Sequence, residues 1–294
     1  MMRVRALMEL LRAPAALSVP GDVLAGAGVT RPPGSDRALR TLGSCCLYWA
    51  GMALNDYADR DVDATERPQR PIPSGRVPAP FALGLSVVLT AAGIAGSAGA
   101  GGRRSLAVAI PLATTVWSYN LGLKGTAAGP TTMAAARALD VLHGAAPGEL
   151  RRAVPAATAV GAHTLAVSTV ATAEVTGSGK RLPATALTAT LGIGAAVAAG
   201  LVRAAAADST GRGRDDVLGA CALAVYTTTV GRRQLEAVRD PGPAGLQRAT
   251  SGGILGMIPL QSALTAARGD GGRAAALLGV FPVARALSGR VSPT

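Results

Sequence analysis

Between its charged residues this chain repeatedly runs for about 17 to 22 residues with almost no charge, the length at which a helix crosses a hydrocarbon core. That spacing limits the fold more than the average composition does. The 294 residues are 49% hydrophobic with a mean hydropathy of +0.34, but much of the apolar content is alanine, which is close to neutral in a membrane. Only 3% of the residues are aromatic, so a soluble core of this size would lack large packing groups. A soluble all-α protein is the competing class. The pattern predicts an all-α fold, a polytopic transmembrane helical bundle of about nine helices, formed as one domain over residues 1–294.

The spans are expected near residues 14–29, 38–57, 78–100, 105–123, 131–146, 154–175, 184–202, 217–230 and 254–267. A shorter apolar run at 274–287 reads as a tenth span or a reentrant tail. Arg3, Arg5 and Arg12 precede the first stretch as in a signal peptide, yet so many apolar segments follow that a retained first span is expected. Pro20-Gly21-Asp22 interrupts that span, and Asp22 reads either as an interfacial cap or as a functional acid at depth. The stretch 31–36 is expected to be a loop. No period of 20 to 50 residues suggests a solenoid.

The net charge of +12 does not indicate nucleic acid, because the arginines are spread over short loops without stacking aromatics beside them. Contact with anionic membrane lipid explains it better. Cys45, Cys46 and Cys221 form neither a disulfide framework nor a zinc spacing and read as small hydrophobes.

The densest acids lie at the end of the second span, in Asn55-Asp56-Tyr57-Ala58-Asp59-Arg60-Asp61-Val62-Asp63, and cations follow at Arg67, Arg70 and Arg76. At 3.6 residues per turn, Asn55, Asp56, Asp59 and Asp63 share one helical face and Asp61 points elsewhere. Acids crowded in this way need solvation or a divalent cation, and an all-oxygen set suits Mg²⁺. The arginine row offers donors to an anion. Metal and arginines beside an apolar wall fit a diphosphate ester with an apolar tail.

Alternating span direction puts the ends of the second, fourth and sixth spans on one side of the membrane. Tyr119, Asn120 and Lys124 then lie on the side of the acids, as do Glu174, Lys180 and Arg181 and the 232–248 loop. About fourteen Lys/Arg fall on that side and about a dozen on the other, a bias that makes the motif side cytoplasmic. Arg137 and Asp140 are placed to pair at i,i+3, and His143 and His163 read as interior hydrogen-bonding groups.

Asn55-Asp56-x-x-Asp59-x-x-x-Asp63 with its Arg67-Pro-x-Arg70-Pro-Ile-Pro-Ser-Gly75 tail resembles the first aspartate-rich motif of the UbiA superfamily of intramembrane prenyltransferases. The order of segments resembles that family over most of the chain, and the resemblance implies that the helical bundle surrounds a central cavity. The resemblance implies an enzyme transferring a prenyl group from a prenyl diphosphate donor to a lipophilic or aromatic acceptor in the membrane. It implies Asn55, Asp56, Asp59 and Asp63 as ligands of Mg²⁺, and Arg67 and Arg70 on the donor diphosphate. Tyr119 and Lys124 resemble the family's Tyr-x-x-x-Lys element with one residue more between them. The Glu174 to Arg181 loop resembles a second motif reduced to one acid, with Glu174 a metal ligand or base and Lys180 and Arg181 on the diphosphate. A non-catalytic intramembrane prenyl-lipid binding or transport protein is a second reading, and a CDP-alcohol phosphotransferase a third, although its Asp-Gly…Ala-Arg pattern is absent after Asp56. The expected localisation is the cell membrane. On fractionation the protein should sediment with membranes and require detergent for release; recovery in the soluble fraction would contradict the fold class.

Overall fold

A computed structural model describes residues 4–12, 18–27, 34–145, 149–206 and 213–288 of the chain. They form α1 (Val4–Leu10), α2 (Val19–Gly26), α3 (Gly34–Ala58), α4 (Arg60–Glu66), α5 (Ala79–Ser118), α6 (Gly129–Gly144), α7 (Leu150–Ala171), α8 (Arg181–Ala206), α9 (Gly213–Arg239), α10 (Pro243–Ala266) and α11 (Gly271–Ser288), with a π-turn at Tyr119–Leu123. No strand occurs among the described residues. Ala79–Leu123, Leu150–Ala171 and Arg181–Ala206 are each long and apolar enough to cross a membrane. Val88, Leu191 and Val202 point outward, the arrangement expected of a bundle whose solvent is lipid.

Helix α5 contains the third and fourth expected spans. Gly101 (φ −176°) and Gly102 (φ 58°, ψ −146°) leave helical geometry, and the second of these needs the left-handed region that glycine supplies. Counting α5 as two halves at this kink, the described residues hold nine long helices, α3 through α11 without the short α4. The fully buried guanidinium of Arg40 secures the break. It donates to Ala100 O at 2.9 Å on the kink and to Ala145 O at 3.0 Å and His143 O at 3.3 Å at the end of α6. Carbonyls released by a kink and a helix end are thus satisfied inside the protein, as a membrane interior demands.

Small residues let the helices approach closely. A Cβ on Gly93 would lie 2.9 Å from Gly43 O, and one on Gly144 would lie 2.3 Å from Val23 O, so α5 meets α3 and α6 meets α2 almost backbone to backbone. The main core is correspondingly fine-grained, with Val141, Val160, Val197 and Leu260 packed around Tyr226.

Several sequence expectations need correction. Arg137 pairs with Asp22 of α2 at 3.0 Å rather than with Asp140, and Asp140 instead accepts from Ser44 Oγ at 2.6 and 2.8 Å. Asp22, wholly buried, also accepts from Gln261 Nε2 at 2.7 Å, so it is an interior link joining α2, α6 and α10 and not an interfacial cap. The first span is divided: α1 packs Ala6 and Leu10 against Ala53 and Val77, and α2 has only eight residues. Residues 13–17 and 28–33, which belong to the expected first span and the loop after it, lie outside the described residues; the rest of that loop, 34–36, is already in α3. The 232–248 stretch is almost entirely helical, since Glu236 pairs with Arg232 and Arg233 at i+4 and i+3 and carries α9 to Arg239, and α10 begins at Pro243.

Both histidines are interior hydrogen-bonding groups, as expected. His143 Nε2 lies 2.7 Å from Ser97 Oγ, and His163 bridges Tyr226 OH (3.1 Å) and Gly253 O (3.0 Å). The three cysteines are free thiols. Arg40→Leu should cost about 3 kcal/mol through lost charge-assisted bonds, lowering the melting temperature in detergent, whereas exposed Arg103→Leu should leave it unchanged; equal melting of the two variants would contradict the role given to Arg40 at the kink.

Candidate active site

The acidic face is built by a helix that almost does not stop. Helix α3 ends at Ala58 and α4 begins at Arg60, but the i to i−4 rhythm persists across the junction. Asp59 N–H donates to Asn55 O (3.0 Å), Asp63 N–H to Asp59 O (2.8 Å) and Arg67 N–H to Asp63 O (2.8 Å). Asn55, Asp56, Asp59 and Asp63 therefore stay on one side. Asp56 and Asp63 are buried, whereas the side chain of Asp61 is 83% exposed.

The proline-rich tail then folds back over this face. Arg70 N–H bonds Arg67 O, Ser74 N–H bonds Arg70 O, and Gly75 at φ +70° allows the turn that brings Val77 N–H to Pro71 O. The turn delivers Arg70 between two carboxylates, with Nη1 at 2.8 Å from Asp63 Oδ2 and 3.4 Å from Asp56 Oδ1. Arg67 stays at the margin, 4.0 Å from Asp63. Arg76 does not face the acids. It pairs with Glu9 of α1, and this hydrogen bond holds the Glu9 carboxyl below its ordinary range.

Arg12 enters the cluster from the N-terminal segment. Its Nη2 lies 3.2 Å from Asn55 Oδ1 and 3.4 Å from Asp56 Oδ1, and its backbone takes φ 44°, a left-handed conformation uncommon outside glycine. Sequence reasoning placed Arg12 only as a basic flank. The alternation of spans contains the missed signal, because the start of the first span and the end of the second fall on the same side. Asn120 also belongs here, accepting from Asn55 Nδ2 at 3.2 Å and donating to Val116 O.

The Tyr119 and Lys124 pair shows how a spacing can be preserved by geometry. With four residues between them the two would diverge on an α-helix. Residues Tyr119–Leu123 instead form a π-turn, closed by Lys124 N–H to Tyr119 O at 2.9 Å, and the wider turn takes up the additional residue. Lys124 Nζ reaches Asp59 Oδ2 directly.

Glu174, Lys180 and Arg181 are placed differently. Glu174 is half-buried and the two cations are exposed, and among the described residues no hydrogen bond or ion pair joins them to the acids of α3 and α4. Their loop turns at Gly177 (φ +77°) and leans on the α9–α10 turn through Ser178 N–H to Pro241 O at 3.0 Å.

A divalent ion at this site can draw on two buried carboxylates and the oxygen of Asn55. Among the described residues no three Asp, Glu, His or Cys side chains converge on one point. Asp56 and Asp63 nevertheless come within reach of one Arg70 nitrogen, and Asp59 is engaged by Lys124. A pair of carboxylates completed by phosphate oxygens and water is the donor set Mg²⁺ accepts readily, so the residues fit the ion together with a phosphorylated ligand.

Membrane-type helices arranged around an acid and cation cluster define a class of intramembrane protein, and comparison with known proteins specifies it. The description "UbiA prenyltransferase family" matches residues 15–207, and the chain belongs to this family. Among curated relatives it is 41% identical over 98 residues to the digeranylgeranylglyceryl phosphate synthase of Natronomonas pharaonis, covering 32% of this chain and 35% of that one. It is 38% identical over 128 residues to the synthase of the same name from Methanopyrus kandleri, covering 42% and 45%. The matches thus span less than half the length of these relatives. Of solved structures, a study of digeranylgeranylglyceryl phosphate synthase in membranes gives a TM-score of 0.65 at 14% identity over 90% of this chain and 98% of the other. A UbiA homologue of Archaeoglobus fulgidus bound to DMAPP and Mg²⁺ gives 0.59 at 16% identity over 88% and 98%. These likenesses show the fold.

The π-turn makes a direct prediction. Deleting Gly122 should return the segment to α geometry with Lys124 still at Asp59, so Mg²⁺-dependent diphosphate binding should be retained, whereas Lys124→Met should weaken it by about tenfold. Titration of inorganic diphosphate would check this, and a loss in the deletion variant equal to that of Lys124→Met would contradict it.

Proposed function

We propose that this protein is an integral membrane prenyltransferase that moves a prenyl group from a prenyl diphosphate to a lipophilic acceptor, with Mg²⁺ at the Asp56 and Asp63 carboxylates. The observation that carries this reading is the position of Arg70 between those two acids, with Lys124 on the third. Acids able to hold a cation and cations able to hold an anion are interleaved at one spot, which a metal diphosphate requires and a neutral lipid does not. The membership of the chain in the UbiA prenyltransferase family supports the same assignment, as does its fold likeness to homologues described with DMAPP, GPP and Mg²⁺.

The chemistry follows from where charge develops. Cleavage of the allylic C–O bond leaves negative charge on the departing diphosphate, so groups that bind it more tightly as that charge grows lower the barrier. Mg²⁺ bound there supplies a Lewis acid to the diphosphate oxygens. Arg70 and Lys124, released from Asp63 and Asp59 as the ligand enters, turn to the leaving group, and Arg12 and Arg67 at the rim add charge. Asn55 and Asn120 fix the orientation of the acidic face through the hydrogen bond that Asn55 Nδ2 donates to Asn120 Oδ1. Tyr119 stands on the same turn as Lys124 and contributes to the wall of the donor site. Lys180 and Arg181 take a supporting role on the diphosphate, with Glu174 beside them.

For the acceptor, the curated relatives are named for a product carrying glyceryl phosphate, which supports a hydroxyl of a glyceryl ether lipid over a phenol. The basic loops on the side of the acids support a cytoplasmic active site.

Purified protein with Mg²⁺, a prenyl diphosphate series and a geranylgeranylglyceryl phosphate or aromatic acceptor should form a prenylated lipid and diphosphate. Asp56→Ala and Asp63→Ala should each lower turnover by about 10²-fold or more with melting temperatures near wild type. Unchanged turnover in both variants would contradict the metal assignment, and product formation only with aromatic acceptors would contradict the glyceryl lipid.

A further inference from the structure

The four-arginine cavity at the ends of α9, α10 and α11 is not part of the acid cluster. It has a volume of about 540 Å³ and is lined by Arg232 and Arg233 of α9, Arg248 and Leu255 of α10, and Phe281 and Arg285 of α11. Helical spacing explains why these residues converge. Arg248 and Leu255 lie seven apart on one face of α10, and Phe281 and Arg285 lie four apart on one face of α11. Gly252 sits between them on α10, where a Cβ would come within 2.8 Å of Arg233 Cγ, so its lack of a side chain lets α9 close against the cavity floor.

Charge and apolar surface are separated within this space. None of the lining residues is acidic. The carboxylate of Glu236 serves Arg232 and Arg233 together, so one acid is shared by two of the four arginines. Arg248 makes no side-chain hydrogen bond or ion pair among the described residues. The N-terminal turn of α10 adds the positive end of a helix dipole at the same mouth. Leu255 and Phe281 form an apolar wall in the groove between α10 and α11.

The cavity opens on the membrane face that carries the acids, since α9 runs in the same direction as α3 and its terminal turn contacts the Ser178 loop that follows α7. Arginines at a helix end beside an apolar groove match an anionic headgroup whose chains continue into the membrane. We propose that this cavity is a lipid-phosphate site, taking the phosphate ester of an anionic membrane lipid between Arg232, Arg233, Arg248 and Arg285, with the lipid chains along Leu255 and Phe281. The site stands apart from Asp56, Asp63 and Arg70 and does not depend on the reaction proposed for them.

The test is lipid-dependent thermal stabilisation of the full chain in a neutral detergent, with phosphatidic acid, phosphatidylcholine and inorganic phosphate as separate probes. Phosphatidic acid should raise the melting temperature saturably. The Arg248→Gln/Arg285→Gln variant, measured against its own lipid-free melting temperature, should need at least about tenfold more phosphatidic acid for the same shift. The Arg103→Gln/Arg203→Gln variant, with the same charge change away from the cavity, should respond as wild type. An equal shift from phosphatidylcholine would overturn the headgroup assignment. The same shift from inorganic phosphate alone would overturn the lipid in favour of a free anion. An undiminished response in the first variant, or an equal loss in the second, would overturn the site.

Discussion

The guanidinium of Arg70 between Asp56 and Asp63 is the interaction on which the site depends. Two carboxylates buried in an apolar bundle repel each other and lose hydration, and a cation shared between them offsets both costs. Arg12 on Asp56 and Lys124 on Asp59 complete a cluster that is balanced without any ligand. Such a cluster is ready to change partners. On the proposed function, a divalent ion taking the acids would free the side chains of Arg70 and Lys124 for an anion, so that metal and diphosphate favour each other's entry.

The rest of the bundle keeps this cluster in place through polar contacts at several groups that a membrane interior would penalise. Arg40 holds the carbonyls opened by the α5 kink, Arg137 and Gln261 neutralise and bond Asp22, and Ser44 caps Asp140. These contacts join α2, α3, α5, α6 and α10 by polar bonds where the core itself is mostly Ala, Gly and Val and offers limited packing volume.

Much of the fold could be read from the sequence because charge-free length is a physical requirement of crossing a bilayer. The order of the long helices and the shared face of Asn55, Asp56, Asp59 and Asp63 follow from that and from helical periodicity. What could not be read depends on tertiary placement. Arg137 looks suited to Asp140 by spacing, and only the approach of α2 through Gly26 and Gly144 shows that its partner is Asp22. The irregular spacing of Tyr119 and Lys124 has no local explanation until the π-turn is seen. Arg12 is forty-three residues from Asn55 in sequence, and no local pattern marks its contact. The Glu174 loop, grouped with the acids by span direction, shares their side of the bundle without a direct bond to them.

The central claim is that the acidic face binds metal and diphosphate as one unit by exchanging internal ion pairs. Calorimetric titration of the protein in nanodiscs with a non-cleavable prenyl diphosphate analogue, with and without Mg²⁺, tests it most directly. The account predicts strong reciprocal coupling, each ligand tightening the other by about tenfold or more, and loss of that coupling in Arg70→Gln. Analogue binding of equal affinity in the presence of chelator, with Arg70→Gln unchanged, would contradict it.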